Sequence, residues 1–157
     1  MKFEKDATYV VALGGLGEVG KNMYAFMHNN EIFVIDAGVM FPESDLLGVD
    51  YVIQDTSFLK ENEDKIKGLI ITHGHEDHIG AIPYILREVN APIYATKLTM
   101  GIIDNKLKEH GIDNLLHPVH IRRKGCHDNA VCRIFRKKMI DSLSYGSFRT
   151  GKSRPHN

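Results

Sequence analysis

The sequence predicts an α/β layered fold for residues 1–112. Short apolar runs alternate with stretches of helical periodicity, and turn-forming residues separate them. Both patterns are lost after Gly111, which sets an irregular, basic tail apart from the layered part. The division predicted is therefore 1–112 and 113–157.

The elements run in order. Residues 9–13, Tyr-Val-Val-Ala-Leu, read as a buried strand, and Gly14-Gly15-Leu16-Gly17-Glu18-Val19-Gly20 as a glycine-rich turn. Residues 22–28 then alternate, with Met23, Ala25 and Met27 on one side and Tyr24 and Phe26 on the other. Asn29-Asn30 turns the chain into a second apolar strand, 32–36, giving a β-hairpin that ends on the carboxylate of Asp36. A loop with Pro42 and Gly48 leads to residues 51–67, polar and helical in part. Residues 69–72 are a short strand that stops at His73. Ile79, Ile82, Ile85, Leu86 and Val89 share one face of a helix over 79–89, with Pro83 tolerated in its first turn. Residues 91–95 form another strand, and 97–110 a helix closed by Gly111 at the position after its C-cap.

Composition narrows the function classes. The 157 residues are about one domain, 43% hydrophobic. The N-terminus carries both signs of charge, and the run 9–13 is too short for a signal peptide core or a membrane span, so a cytoplasmic chain without membrane contact is expected. Cys126 and Cys132 fit neither a CxxC metal pair nor a disulfide framework. The zero net charge hides a split: residues 1–110 hold 10 Lys+Arg against 17 Asp+Glu, hence −7, and residues 111–157 hold 10 against 3, hence +7.

The chemistry concentrates in His73-Gly74-His75-Glu76-Asp77-His78. Alternate residues His73 and His75 point to one side of an extended segment, so both imidazoles reach one ion at about 2.0–2.1 Å. Asp77 and His78 come next, at a turn into the following helix, and face a second ion about 3.5–4 Å from the first, the spacing at which two ions activate a shared water. Exposed loop histidines would be the bland alternative. Three histidines and an aspartate within six positions, directly after an apolar strand, favour the metal site.

His73-x-His75-x-Asp77-His78, preceded by Ile35-Asp36-Ala37-Gly38, resembles the first two motifs of the metallo-β-lactamase superfamily. The stretches from Leu13 to Asn22 and from Asp36 to Pro42 are similar to the N-terminus of the bacterial ribonuclease J family, in the β-CASP nuclease group. The resemblance spans roughly residues 6–112. It implies the N-terminal half of an αββα sandwich, and RNA as substrate, cleaved endonucleolytically and 5′-to-3′ exonucleolytically. It also implies two zinc ions, a cytoplasmic setting and a homo-oligomer. His73 and His75 would bind one zinc and Asp77 and His78 the other, with the catalytic role falling on Asp77 and His78. Asp36 would orient the ligand loop by hydrogen bonds. The same donors would also accept manganese.

Two other motifs compete. Gly15-Leu-Gly17-Glu-Val-Gly20 fits GxGxxG after a strand, with Asp36 ending the next strand, as in dinucleotide-binding units. A helix is required between Gly20 and Ile32, whereas that segment alternates and turns at Asn29-Asn30. Gly146 to Ser153 fits the pattern of a phosphate-binding P-loop, but only four residues remain beyond it, too few for the helix that would receive phosphate.

The family pattern also implies a downstream histidine and a bridging aspartate. Between Asp128 and Pro155 there is no histidine, and His110, His117, His120 and His127 come too early and read as solvated. The expectation is a truncated chain, frameshifted or disordered after about residue 112. It would leave apolar strand faces uncovered, with low or no activity. A natural RNA-binding tail is the competing reading of the basic segment. A thioester or lactone hydrolase, and a non-catalytic metal- or RNA-binding remnant, are the alternative functions.

Overall fold

The computed structural model describes residues 7–42 and 48–112, with the backbone of residues 119–120. The described strands form one mixed sheet in chain order: β1 (Thr8–Gly14), β2 (Met23–His28), β3 (Glu31–Ile35), β4 (Ile66–Ile70), β5 (Ile93–Ala95) and β6 (Val119–His120). β1, β2 and β3 pair antiparallel, and β3 through β6 pair parallel.

The hairpin between β2 and β3 arises as the sequence predicts. Asn29 and Asn30 both adopt positive φ, 45° and 66°, and His28 pairs with Glu31 across them. Two consecutive left-handed residues match the right-handed twist of the flanking strands, and asparagine tolerates that conformation better than most side chains. Met23, Ala25 and Met27 are buried, as the alternation requires.

β1 departs from expectation. It is not a buried strand: it lies at the sheet edge, with Val10 58% exposed, and only Tyr9, Val11 and Leu13 pack against the core. An apolar run marks a strand without revealing whether both faces are covered.

Between β3 and β4 the chain forms α1 (Ser57–Glu61) and a 3-10 turn, Glu63–Lys65, so residues 51–67 are helical in part. β4 begins at Ile66 and ends at Ile70, three residues before and two before the predicted bounds. Its start was obscured by exposed Lys67 and by Gly68, where an added Cβ would lie 2.4 Å from the Tyr94 ring. The single helix predicted over 79–89 is two, α2 (Glu76–Ile79) and α3 (Ile82–Leu86), with Pro83 in the first turn of α3. The break falls at Gly80 and Ala81. There the helical ladder is diverted to the β3 exit: Ala81 N donates to Ala37 O at 2.8 Å, and the Asp77 and His78 carbonyls accept from Asn22 N and Ala37 N instead of from the next turn. β5 is shorter than the predicted 91–95, because Pro92 donates no hydrogen bond although its carbonyl accepts from Leu69 N at 2.9 Å.

α4 (Lys97–Glu109) matches closely. Thr96 caps it by accepting from Thr99 N at 3.3 Å, and Gly111 follows the C-cap His110 at φ 68°. The core lies between one sheet face and these helices. Met23, Ala25, Ile32, Val34, Leu69 and Ile93 from the sheet meet Ile82, Ile85, Ile103 and Leu107 from α3 and α4. Burying each such side chain contributes roughly 1.5–3 kcal/mol. The backbone of residues 119–120 joins β5 in parallel. Cys126, Cys132, His117, His127 and the P-loop-like residues 146–153 lie outside the described residues, as does most of the predicted tail.

Candidate metal centre

Parallel pairing of β3 with β4 brings the C-terminal ends of both strands to one edge of the sheet, the edge where open α/β sheets place their ligands. Asp36 leaves β3 there and His73 follows β4, so two segments far apart in sequence are side by side. Asp36 N donates to Ile70 O at 3.0 Å. Asp36 has φ 60° and is 4% exposed. A left-handed conformation costs a non-glycine residue about 1–2 kcal/mol, and three contacts to its carboxylate offset this. Thr72 N donates to Oδ1 at 2.8 Å, Thr72 Oγ1 lies 2.8 Å from Oδ2, and His78 Nδ1 lies 2.8 Å from Oδ2.

The backbone of the histidine loop is clamped from two sides. Ala37 N donates to His78 O at 2.8 Å, Val39 N to Glu76 O at 3.1 Å, and Asn22 N to Asp77 O at 3.2 Å. Lys21 N donates to Val39 O and Gly38 N to Asn22 O, which ties the glycine-rich loop into the same assembly. The approach is so close that a Cβ on Gly38 would lie 1.6 Å from Asp77 O. After Gly20 the chain enters strand β2, where a dinucleotide site would need a helix. The glycines serve this clamp: an added Cβ on Gly14 would lie 2.3 Å from Lys21 O, and one on Gly20 3.0 Å from Met40 Cα.

The side chains His73, His75 and His78 gather above the clamp. The His73 ring centroid is 4.6 Å from that of His75 and 4.0 Å from that of His78. Asp77 Oδ2 lies 3.2 Å from His78 Nε2 and accepts from Asn22 Nδ2 at 3.1 Å. Burial pushes the His73 imidazole below its ordinary value, and the neighbouring His78 and His75 act in the same direction. A neutral ring with a free lone pair is the form that binds a metal.

The metallo-β-lactamase superfamily model matches residues 16–135. The chain belongs to that superfamily. Over 103 residues it is 56% identical to ribonuclease J 1 of Streptococcus pyogenes, covering 66% of this chain and 18% of that protein. Over 104 residues it is 49% identical to ribonuclease J 2 of Staphylococcus aureus, covering 66% of this chain and 19% of that protein. The chain thus spans less than a fifth of the length of these two relatives. Among solved structures, the short form of human tRNase Z aligns with 76% of this chain and 47% of its own, at 14% identity and a TM-score of 0.47.

Membership of the metallo-β-lactamase superfamily implies use of a divalent metal. The donor chemistry here fits one: three clustered imidazoles, one of them held neutral by burial, and an adjacent carboxylate. The spacing is not that of a closed site. Among the described residues, no group of three His, Cys, Asp or Glu side chains is placed to hold one ion. The fit is therefore one of ligand type and of rings already brought together.

Several residues of this edge carry no signal in the sequence. Asn22 Nδ2 reaches the Asp77 carbonyl and carboxylate, both at 3.1 Å, and lies 3.4 Å from His78 Nε2. Thr72 contacts Asp36 and His73 together. Lys106 of α4 places Nζ 2.9 Å from Glu76 Oε2, an ion pair by distance whose angle leaves that oxygen short of a hydrogen bond. A polar residue at a strand end looks like any other until the partner strand is placed beside it. His110, read as solvated, instead packs edge-on to Tyr84 with centroids 5.3 Å apart, while its carbonyl accepts from Arg87 at 2.7 Å.

Proposed function

We propose that the chain takes part in zinc-dependent hydrolysis of RNA phosphodiester bonds as a ribonuclease J-like enzyme, endonucleolytic and 5′-to-3′ exonucleolytic, in the cytoplasm. Residues 1–112 would form the N-terminal part of its metallo-β-lactamase domain, and residues 113–157 a distinct basic segment. One observation carries this reading: Asp36, His73, His75, Asp77 and His78 share one sheet edge in a chain about half identical to two proteins named ribonuclease J. That identity also argues against the thioester and lactone hydrolases.

His73 and His75 would hold one zinc, and Asp77 and His78 the second. When bound, such ions polarise a phosphoryl oxygen and bring the pKa of water toward neutrality. Asp36 would orient His78, and Asn22 would hold the Asp77 carboxylate facing the imidazoles. Manganese suits the same donors. RNA is the partner this reading assigns, with a homo-oligomer as the assembly. Among the described residues no helix is long and apolar enough to cross a membrane.

A second reading, a metal- or RNA-binding module without turnover, rests on metal-binding donor types gathered at this edge, three imidazoles and a carboxylate, that among the described residues are not set round one ion as a group of three. Metal content measured alongside cleavage of a single-stranded, 5′-phosphorylated RNA separates the two. Chelator-sensitive cleavage lost in Asp77→Asn supports the enzyme. Bound zinc without turnover supports the module, and neither zinc nor RNA binding refutes both.

A further inference from the structure

We infer that Thr72 is a positioning residue: together with Asp36 it fixes both His73 and His78 as the Nδ1–H tautomer, leaving each Nε2 with its lone pair free. The inference rests on reading these two histidines as metal ligands. It extends that reading to a residue outside the histidine motif.

Counting protons makes the assignment. The Asp36 carboxylate accepts and does not donate, and it is 4% exposed. Its neighbours are Thr72 N at 2.8 Å, Thr72 Oγ1 at 2.8 and 3.0 Å, and His78 Nδ1 at 2.8 Å. For His78 both ring nitrogens face a carboxylate, Nδ1 at 2.8 Å from Asp36 Oδ2 and Nε2 at 3.2 Å from Asp77 Oδ2; the single proton of the neutral ring goes to Nδ1, where the contact is shorter and the carboxylate is buried.

For His73 the assignment passes through the Thr72 hydroxyl, which has one proton and two lone pairs. It lies close to both Asp36 oxygens and 2.9 Å from His73 Nδ1. If its proton went to His73, the hydroxyl would present only lone pairs to a buried carboxylate at 2.8 Å. The proton therefore goes to Asp36, and the hydroxyl accepts from His73 Nδ1–H. One buried carboxylate thereby orders two imidazoles, His78 directly and His73 through Thr72. Thr72 sits at this junction because it lies just beyond the end of β4 while Asp36 leaves the parallel neighbour β3. Outer partners that fix a histidine tautomer raise metal affinity about 10–100-fold.

The test begins on the metal-free full chain, labelled with ¹⁵N and held at pH 8, by two-bond proton–nitrogen correlation of the histidine rings. The expected result is a protonated Nδ1 and a bare Nε2 on both His73 and His78. Thr72→Val removes the hydroxyl at nearly constant shape; it should release His73 to the Nε2–H form, leave His78 unchanged, and lower zinc affinity about tenfold or more by titration calorimetry. Thr72→Ser should restore both. A wild-type His73 carrying its proton on Nε2 overturns the inference, as does a folded Thr72→Val with unaltered tautomers and zinc affinity. If Thr72→Val does not fold, the wild-type tautomers together with Thr72→Ser decide. Because the tautomers are read without metal or RNA, a chain that never cleaves RNA still tests Thr72.

Discussion

Gly38→Ala is the sharpest perturbation the structure offers. The added Cβ would lie 1.6 Å from Asp77 O and 2.1 Å from Asp77 C, both backbone atoms with no rotamer to escape into. Relaxed carbon–oxygen contacts need about 3.3–3.6 Å, so the two segments must separate by roughly 2 Å. That displacement breaks the hydrogen bonds from Ala37 N to His78 O, Val39 N to Glu76 O and Asn22 N to Asp77 O. At about 0.5–1.5 kcal/mol each, the loss of all three sums to about 1.5–4.5 kcal/mol, a large share of a typical domain's roughly 5–15 kcal/mol. Urea unfolding of the metal-free chain, followed by circular dichroism, should show the midpoint falling at unchanged slope. A variant within about 0.5 kcal/mol of wild type, on the order of ordinary surface substitutions, would refute the claim that the histidine loop is held by backbone contact across this glycine.

Gly101→Ala should act in the opposite sense: it lies inside α4 with nothing within 4 Å of the added Cβ, so a gain of up to about 1 kcal/mol is expected in the same unfolding assay. In the hairpin, Asn30→Gly should be neutral or stabilising, whereas Asn30→Val should cost about 1–2 kcal/mol, because φ is 66° there. His73 predicts a pH dependence. Its folded-state pKa is lowered, so between that value and the ordinary 6.5 the unfolded chain binds the extra proton. Stability of the metal-free chain should therefore rise with pH through that window and level off above it. The increment should vanish in His73→Asn; an identical pH profile in that variant would remove His73 as its source.

The parts legible in the sequence were those carried by local chemistry. The β2–β3 hairpin comes from alternation plus two consecutive asparagines, and α4 from its Thr96 cap and Gly111. His73, His75 and His78 were legible because a solvated loop has no need of three imidazoles within six positions, whereas a metal site does. The features that stayed hidden depend on neighbours remote in the chain. The exposure of Val10 depends on nothing covering its face of β1, while Tyr9, Val11 and Leu13 on the other face meet the core. The break between α2 and α3 depends on Ala37 and Asn22 taking the hydrogen bonds that would continue the helix. Asn22 sits 55 residues from Asp77, and only the clamp brings them into contact.

The glycine-rich turn shows why one short pattern serves two unrelated chemistries. In a dinucleotide site, glycines let backbone approach a pyrophosphate that a Cβ would repel. Here the approaching group is the protein's own backbone: Lys21 O meets Gly14, and Met40 meets Gly20 at φ 101°. Both cases select residues without a side chain where chains cross closely, so the pattern reports crowding and does not name the group that crowds it. The element after the last glycine discriminates between them. A helix N-terminus would present free N–H groups to an anion, whereas β2 spends its N–H groups on neighbouring strands. In this chain Lys21 N and Asn22 N donate to Val39 and Asp77, so the backbone donors just after the turn are committed to holding the histidine loop.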